Sequence, residues 1–136
     1  MNDCVFCKIL AGDIPSYQLF EDEHCVAILD AFPGTKGHSL VLPKKHYQDI
    51  SDVPEELYGH MMRVVKRLAG SFKKALNYDG INIMQHNGSP AGQTVFHIHI
   101  HLFPRWSGDE ALGGWNPGQM MPAEYELLKT ELLKHI

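Results

Sequence analysis

The sequence lacks any run of about 18 apolar residues, the length a membrane-crossing helix needs. It also lacks a basic excess. Its 136 residues carry 12 Lys and Arg against 16 Asp and Glu, a formal charge of −4 with the histidines neutral. That balance argues against general capture of a nucleic-acid backbone, and leaves room for a small anion held locally. Cysteine is sparse: Cys4, Cys7 and Cys25 make a poor disulfide framework. Met1-Asn2-Asp3-Cys4 has neither the basic nor the apolar part of a signal peptide. Together these absences predict a reducing, cytoplasmic setting with no membrane and no nucleic-acid partner. Internal repeats, low-complexity segments and an evident linker are missing too. One domain over residues 1–136 is expected, long enough for a single core.

What the chain does have is histidine, concentrated in Gln93-Thr94-Val95-Phe96-His97-Ile98-His99-Ile100-His101-Leu102-Phe103. The alternation predicts a β-strand. Side chains in a strand alternate between faces, so Phe96, Ile98, Ile100 and Leu102 form an apolar face to be buried. His97, His99 and His101 share the other face. Each imidazole can be a nucleophile, acid, base or metal ligand. A face meeting only water would be served by Thr, Lys or Glu, so three histidines point to chemistry.

Before that stretch, Cys4-Val5-Phe6-Cys7 opens onto a short helical turn that Gly12-Asp13-Ile14-Pro15 breaks. Three readings of the Cys-x-x-Cys pair stay open: a redox pair, half of a zinc site, or two unrelated cysteines. The redox reading lacks the strand that should precede it. Residues 17–21 and 25–29 read as strands joined by a polar turn, and 38–42 as a third strand ended by Pro43. The loop at 31–37 is not a P-loop, since its glycines and lysine stand in the wrong order. Lys44 and Lys45 suit a solvated face or an anion. Residues 54–77 form the long helix, with Asp52 or Ser51 as cap. Its buried stripe is Leu57, Met61, Val64, Val65, Leu68, Phe72, Ala75 and Leu76. Core packing accounts for Met61 and Met62, and His60 reads as a surface residue. Residues 81–85 make a fourth strand, and 122–135 a short helix with Tyr125, Leu128 and Leu132 in step. The turn-rich connection at 86–92 could aim backbone N–H groups at an anion. Trp106 and Trp115 stand in a glycine-rich stretch and are expected to cover a core edge, an interface or the mouth of a site. Strands, helix, strands, helix predict an α+β fold, a five-stranded, mostly antiparallel sheet with the long helix on one face.

The run His97-Ile98-His99-Ile100-His101-Leu102-Phe103 resembles the signature of the histidine triad (HIT) superfamily. The resemblance extends through Cys4-Val5-Phe6-Cys7-Lys8-Ile9, Gly12-Asp13-Ile14-Pro15, Asp30, Gly37-His38-Ser39-Leu40-Val41-Leu42-Pro43-Lys44 and Ala91-Gly92-Gln93-Thr94-Val95. Asp30 and Asn87 resemble the Hint-like purine nucleoside phosphoramidases. Gly92-Gln93-Thr94-Val95 and Leu102-Phe103-Pro104-Arg105 are also similar to the fragile-histidine-triad dinucleotide hydrolases. The Cys-x-x-Cys resembles that of zinc-binding bacterial Hint-like proteins.

The resemblance implies a hydrolase or transferase acting at the α-phosphate of a purine nucleotide conjugate. It implies that Asp30 binds the ribose hydroxyls and that Phe6, Ile9, Ile14 and Ile28 line the base pocket. Asn87, Gly92, Gln93 and Thr94 would hold phosphate oxygens or the bridging atom, and Thr94 or a neighbouring imidazole would relay a proton to the leaving group. His99 would be the nucleophile, supported by His101 and His38. The same resemblance implies structural Zn²⁺ on Cys4, Cys7, His46 and His97, with His38 competing for the fourth place. It further implies a homodimer through the long helix and the fourth-strand region. Two other functions compete: a metal hydrolase with one ion on the three triad histidines, and a non-catalytic nucleotide-binding or scaffold protein.

Overall fold

The computed structural model describes residues 3–110 and 119–136, so Trp115 lies outside the described residues. In chain order these form α1 (Val5–Leu10), β1 (Gln18–Glu21), β2 (Cys25–Leu29), β3 (Ser39–Pro43), α2 (Glu55–Leu76), β4 (Gly80–Met84), β5 (Ile100–Arg105) and α3 (Pro122–Leu133). The strands make one sheet in the order β1-β2-β3-β5-β4, every pair antiparallel. The α+β architecture read from the sequence is present. No helix among the described residues is long and apolar enough to cross a membrane.

β2 and β3 are buried at every position, so both faces of the central sheet are covered. On one face Ala27, Leu29, Val41, Ile98, Ile100 and Leu102 pack with α2 and α3 into the main core. On the other, Val26, Ile28, Leu40 and Leu42 pack against Phe6 of α1 in a smaller cluster. α2 delivers Met61, Val64, Val65, Leu68 and Phe72 to the main core, at the spacing of one helical stripe. Met62 falls off that stripe and is 39% exposed, so core packing does not account for it. α2 ends at Asn77 in the left-handed region, a C-terminal position that asparagine tolerates. Its start departs from expectation. Pro54 holds the N-cap position without a side-chain bond, and the Asp52 carboxylate instead accepts the Gln48 and Asp49 N–H groups.

The histidine segment departs too. Only Ile100–Arg105 pairs as a strand; residues 94–99 leave the ladder. The β3–β5 register pairs Val41 with Ile100, so continuing it would set Ile98 against Pro43. Pro43 has no N–H to give, and the Ile98 N–H goes to the Tyr47 carbonyl at 2.7 Å. The alternation survives the loss of pairing: Ile98, Ile100 and Leu102 are fully buried. Phe96 is 38% exposed, which shortens the expected apolar face by one residue.

Candidate functional site

Ile28 pairs with Leu40, Leu40 with His101, and His101 with Met84, a row across four strands. Paired residues of antiparallel strands share a face, so His101 stands beside Ile28 and Leu40, on the α1 side of the sheet. There a cleft of about 600 Å³ opens, with Phe6, Ile9, Ile14, Ile28 and Leu40 as its apolar walls. Asp30, Thr94, His99 and His101 supply its polar groups. Tyr17 and Tyr125, which the sequence did not single out for a site, also line it. Their rings stack at 4.6 Å, and the Tyr125 hydroxyl donates to the Asp30 carbonyl at 2.7 Å. α3 is thereby tied to the loop that presents Asp30. No Lys or Arg is among the described residues that line the cleft.

The buried imidazoles are each oriented by a partner. His99 directs Nδ1 at the His97 carbonyl, 2.7 Å away, so Nδ1 carries the proton and Nε2 keeps its lone pair. Phe6 packs edge-on against the His99 ring at 4.9 Å. The Gly34 N–H donates to His38 Nδ1 at 3.0 Å, which puts the His38 proton on Nε2. That nitrogen lies 2.9 Å from His101 Nδ1 and 3.5 Å from the Asp30 carboxylate. His101 therefore accepts at Nδ1 and carries its own proton on Nε2.

Burial sets the charge state of this group. It pushes His38 down to about 3, with His99 adding to the effect, and His101 down to about 2. His99 is lowered as well, by burial first. Burial raises Asp30 to about 6, partly offset by the N–H that Phe32 donates to it. At neutral pH the three imidazoles are uncharged, which leaves His99 Nε2 able to attack an electrophile.

A second cluster lies behind the first. Cys4 caps α1 and accepts the Cys7 N–H on its sulfur at 3.3 Å, which brings both sulfurs to one side of the helix start. His97 Nδ1 lies 3.4 Å from Cys4 Sγ and 3.6 Å from Cys7 Sγ, and His46 Nδ1 lies 3.4 Å from Cys7 Sγ. The four ligand atoms sit within 4.8 Å of one another. His97 donates Nε2–H to the Pro43 carbonyl at 2.9 Å, leaving Nδ1 to face the sulfurs. A metal-bound histidine is held in this way. Two soft sulfurs and two imidazole nitrogens are the donor set of a closed tetrahedral zinc site. His46, not His38, completes the set. With His97 turned to the cysteines, no metal-capable group among the described residues brings the three triad histidines together; His97 groups with the cysteines and His101 with Asp30 and His38. The reading of a metal hydrolase on those three loses its geometry.

Asp22, Cys25 and His60 also lie together. The Asp22 carboxylate is already spent on the His24 and Cys25 N–H groups and on His60, 2.7 Å away. Burial pushes the Cys25 thiol up to about 12. His60 is thus half-buried and paired, not a plain surface residue.

Several expected phosphate groups lie elsewhere. Gln93 is buried, accepts the Gly88 N–H and donates to the Gln48 and Val95 carbonyls, so its amide braces the 86–93 loop. Asn87 accepts from Ile50 and exchanges bonds with Gln85. Gly92 turns left-handed beneath the His86 ring. Asn87, Gly92 and Gln93 thus shape the loop from outside the cleft lining, and only Thr94 reaches it. Lys44 pairs with Glu21 at 2.6 Å and holds no place among the histidines. Trp106 gives its N–H to Asp109 and is not part of the cleft wall. His86, not singled out from the sequence, also stands beside the histidines without lining the cleft: its ring centroid lies 5.5 Å from that of His101. The β4–β5 register signals it, and strand pairing is not printed in a sequence.

Curated relatives share this chain's sequence over much of its length. Protein hit of Bacillus subtilis is 41% identical over 99% of the chain and 95% of its own length. Adenylylsulfatase HINT3 of Arabidopsis thaliana is 43% identical over 79% of the chain, which spans 55% of that longer protein. Among solved structures, a Zn-bound histidine triad family protein from Mycobacterium smegmatis superposes with a TM-score of 0.85 at 40% identity, covering 98% of this chain and 95% of its own. The family model described as HIT domain matches residues 11–108, and with these relatives it shows that the chain belongs to the HIT family.

Proposed function

We propose that the chain is a nucleotide hydrolase or transferase that cleaves at the α-phosphate of purine nucleoside phosphoramidates. His99 attacks through Nε2 and forms a nucleotidyl-histidine. The observation that carries this reading is the 2.7 Å bond from His99 Nδ1–H to the His97 carbonyl, which fixes the nucleophilic tautomer inside the cleft. His101 gives its Nε2–H to a phosphoryl oxygen, its Nδ1 held by His38. Thr94, exposed at the cleft, adds a hydroxyl. Phe6, Ile9, Ile14 and Ile28 sandwich the base, and the Asp30 carboxylate accepts from the ribose hydroxyls. Water then breaks the N–P bond. An adenylylsulfatase among the relatives supports attack at a nucleotidyl phosphorus.

Cys4, Cys7, His46 and His97 hold a structural zinc ion, which ties α1 to the catalytic segment. A Zn-bound relative supports this assignment. We further infer a symmetric homodimer through α2 and β4. β4 is an edge strand, and Ile83 on it is 39% exposed. A light-scattering mass near twice that of one chain is expected at micromolar concentration; a monomer mass contradicts the dimer.

The reaction is tested by turnover of adenosine and guanosine phosphoramidates beside adenylyl sulfate and diadenosine polyphosphates. Fastest turnover of a phosphoramidate is expected. Preference for a polyphosphate would transfer the chain to the dinucleotide-hydrolase class, and binding of all without turnover would make it a non-catalytic binder.

A further inference from the structure

We propose that His86 is a further catalytic residue, the imidazole that hands a proton to the departing amine and later takes one from water. This rests on the nucleotidyl-transfer reading above.

Two observations set His86 beside His101, next to the cleft although not among its lining residues. Met84 pairs with His101, so continuing the antiparallel register past the strand ends sets residue 86 level with residue 99. The His86 ring meets that of His101 edge-on, at 5.5 Å and 61°. Gly92 packs against the same ring at ordinary contact distance.

The other imidazoles are committed. His97 faces the sulfurs, and His99 holds its proton on the His97 carbonyl. His38 and His101 are bonded to each other and driven to the neutral form by burial. His86 is only half-buried, and among the described residues its ring nitrogens make no hydrogen bond. No Lys or Arg is among the described residues that line the cleft to supply a proton in its place.

The His99 Nε2 lone pair forms the N–P bond while the P–N bond to the leaving group breaks, its electron pair staying on the amine nitrogen. Protonated His86 gives its N–H proton to that nitrogen, so a neutral amine departs and neutral His86 remains. A water oxygen then bonds to phosphorus, His86 takes one water proton, and the N–P electrons return to His99. The products are the amine and the nucleoside monophosphate.

The test compares wild type, His86→Gln and His86→Ala on two substrates. One is an adenosine N-alkyl phosphoramidate, whose basic amine needs a proton to leave. The other is adenosine 5′-(p-nitrophenyl) phosphate, whose phenolate does not. General acid catalysis contributes roughly 10²–10⁴-fold. In the first step, read as the single-turnover rate of amine or nitrophenolate release, both variants should lose about 10²-fold or more on the phosphoramidate and remain near wild type on the nitrophenyl ester. Added imidazole should restore His86→Ala on the phosphoramidate. Equal losses on both substrates without rescue, or no loss on either, overturn the assignment while wild-type turnover keeps the nucleotidyl-transfer reading standing. Wild-type protein that turns over neither substrate overturns both.

Discussion

The His99 imidazole directs Nδ1 at the carbonyl oxygen of His97, two residues earlier on the same chain, at 2.7 Å. The triad thus serves two sites with one segment, since the ring of His97 faces the cysteines while its backbone orients the nucleophile. The expected consequence is a fixed tautomer. Nitrogen-15 NMR of histidine-labelled protein at neutral pH should show His99 protonated at Nδ1 and bare at Nε2. A bare Nδ1 contradicts the arrangement.

Metal content tests the cysteine cluster. Protein purified without tag or chelator should carry close to stoichiometric zinc. Cys7→Ser should lose it and unfold at a lower temperature, because the ion joins α1 to His46 and His97. A closed structural site contributes folding energy directly. Metal-free wild-type protein of undiminished stability would contradict the assignment.

Acid should destabilise the fold through its buried imidazoles. His38 and His101, depressed from 6.5 to about 3 and about 2, resist protons that the unfolded chain accepts. Their contribution is present above 6.5 and is lost as pH falls towards those values. At one pKa unit per 1.4 kcal/mol, this amounts to about 2 kcal/mol each near pH 5. Asp30, raised from 3.8 to about 6, works in the opposite sense. Its stabilisation is present below 3.8 and is lost as pH rises through 6. Near pH 5 it returns about 1 kcal/mol, less than the imidazoles cost. The urea midpoint should therefore fall between pH 7 and pH 5, and fall less in His38→Gln. A midpoint that rises on acidification contradicts this balance.

Asp30 should discriminate ribose from deoxyribose. Hydrogen bonds to a charged partner are worth about 1.5–3 kcal/mol, so Asp30→Asn should raise KM roughly 10- to 100-fold on the ribonucleotide. A 2′-deoxy substrate should lose affinity for wild type and little more in the variant. Independent losses from the two changes would place the ribose elsewhere.

The strands, the long helix and the direction of the histidines were legible because alternation and helical spacing are local patterns. Ile28 could be assigned to the cleft by resemblance, and the β2–β3–β5 register shows why it meets His101. Features decided by distant partners were not legible. The segment before Ile100 leaves the sheet because Pro43 stands opposite it, a pairing that no local window contains. Asn87 and Gln93 match the family motif, yet their amides are taken up by Ile50, Gln85, Gly88, Gln48 and Val95. His86 looked like part of a turn until the pairing of Met84 with His101 set it beside the site.

The covalent step is the core of the account, and one measurement reaches it directly. Wild-type protein is mixed with a good adenosine phosphoramidate, quenched within a turnover and digested for mass spectrometry. The expected result is an adenylyl adduct on His99 that forms before free amine and nucleotide reach steady state, and that is absent from His99→Ala. Turnover without any adduct on His99, together with near-normal kcat in His99→Ala, would contradict nucleophilic catalysis by this residue.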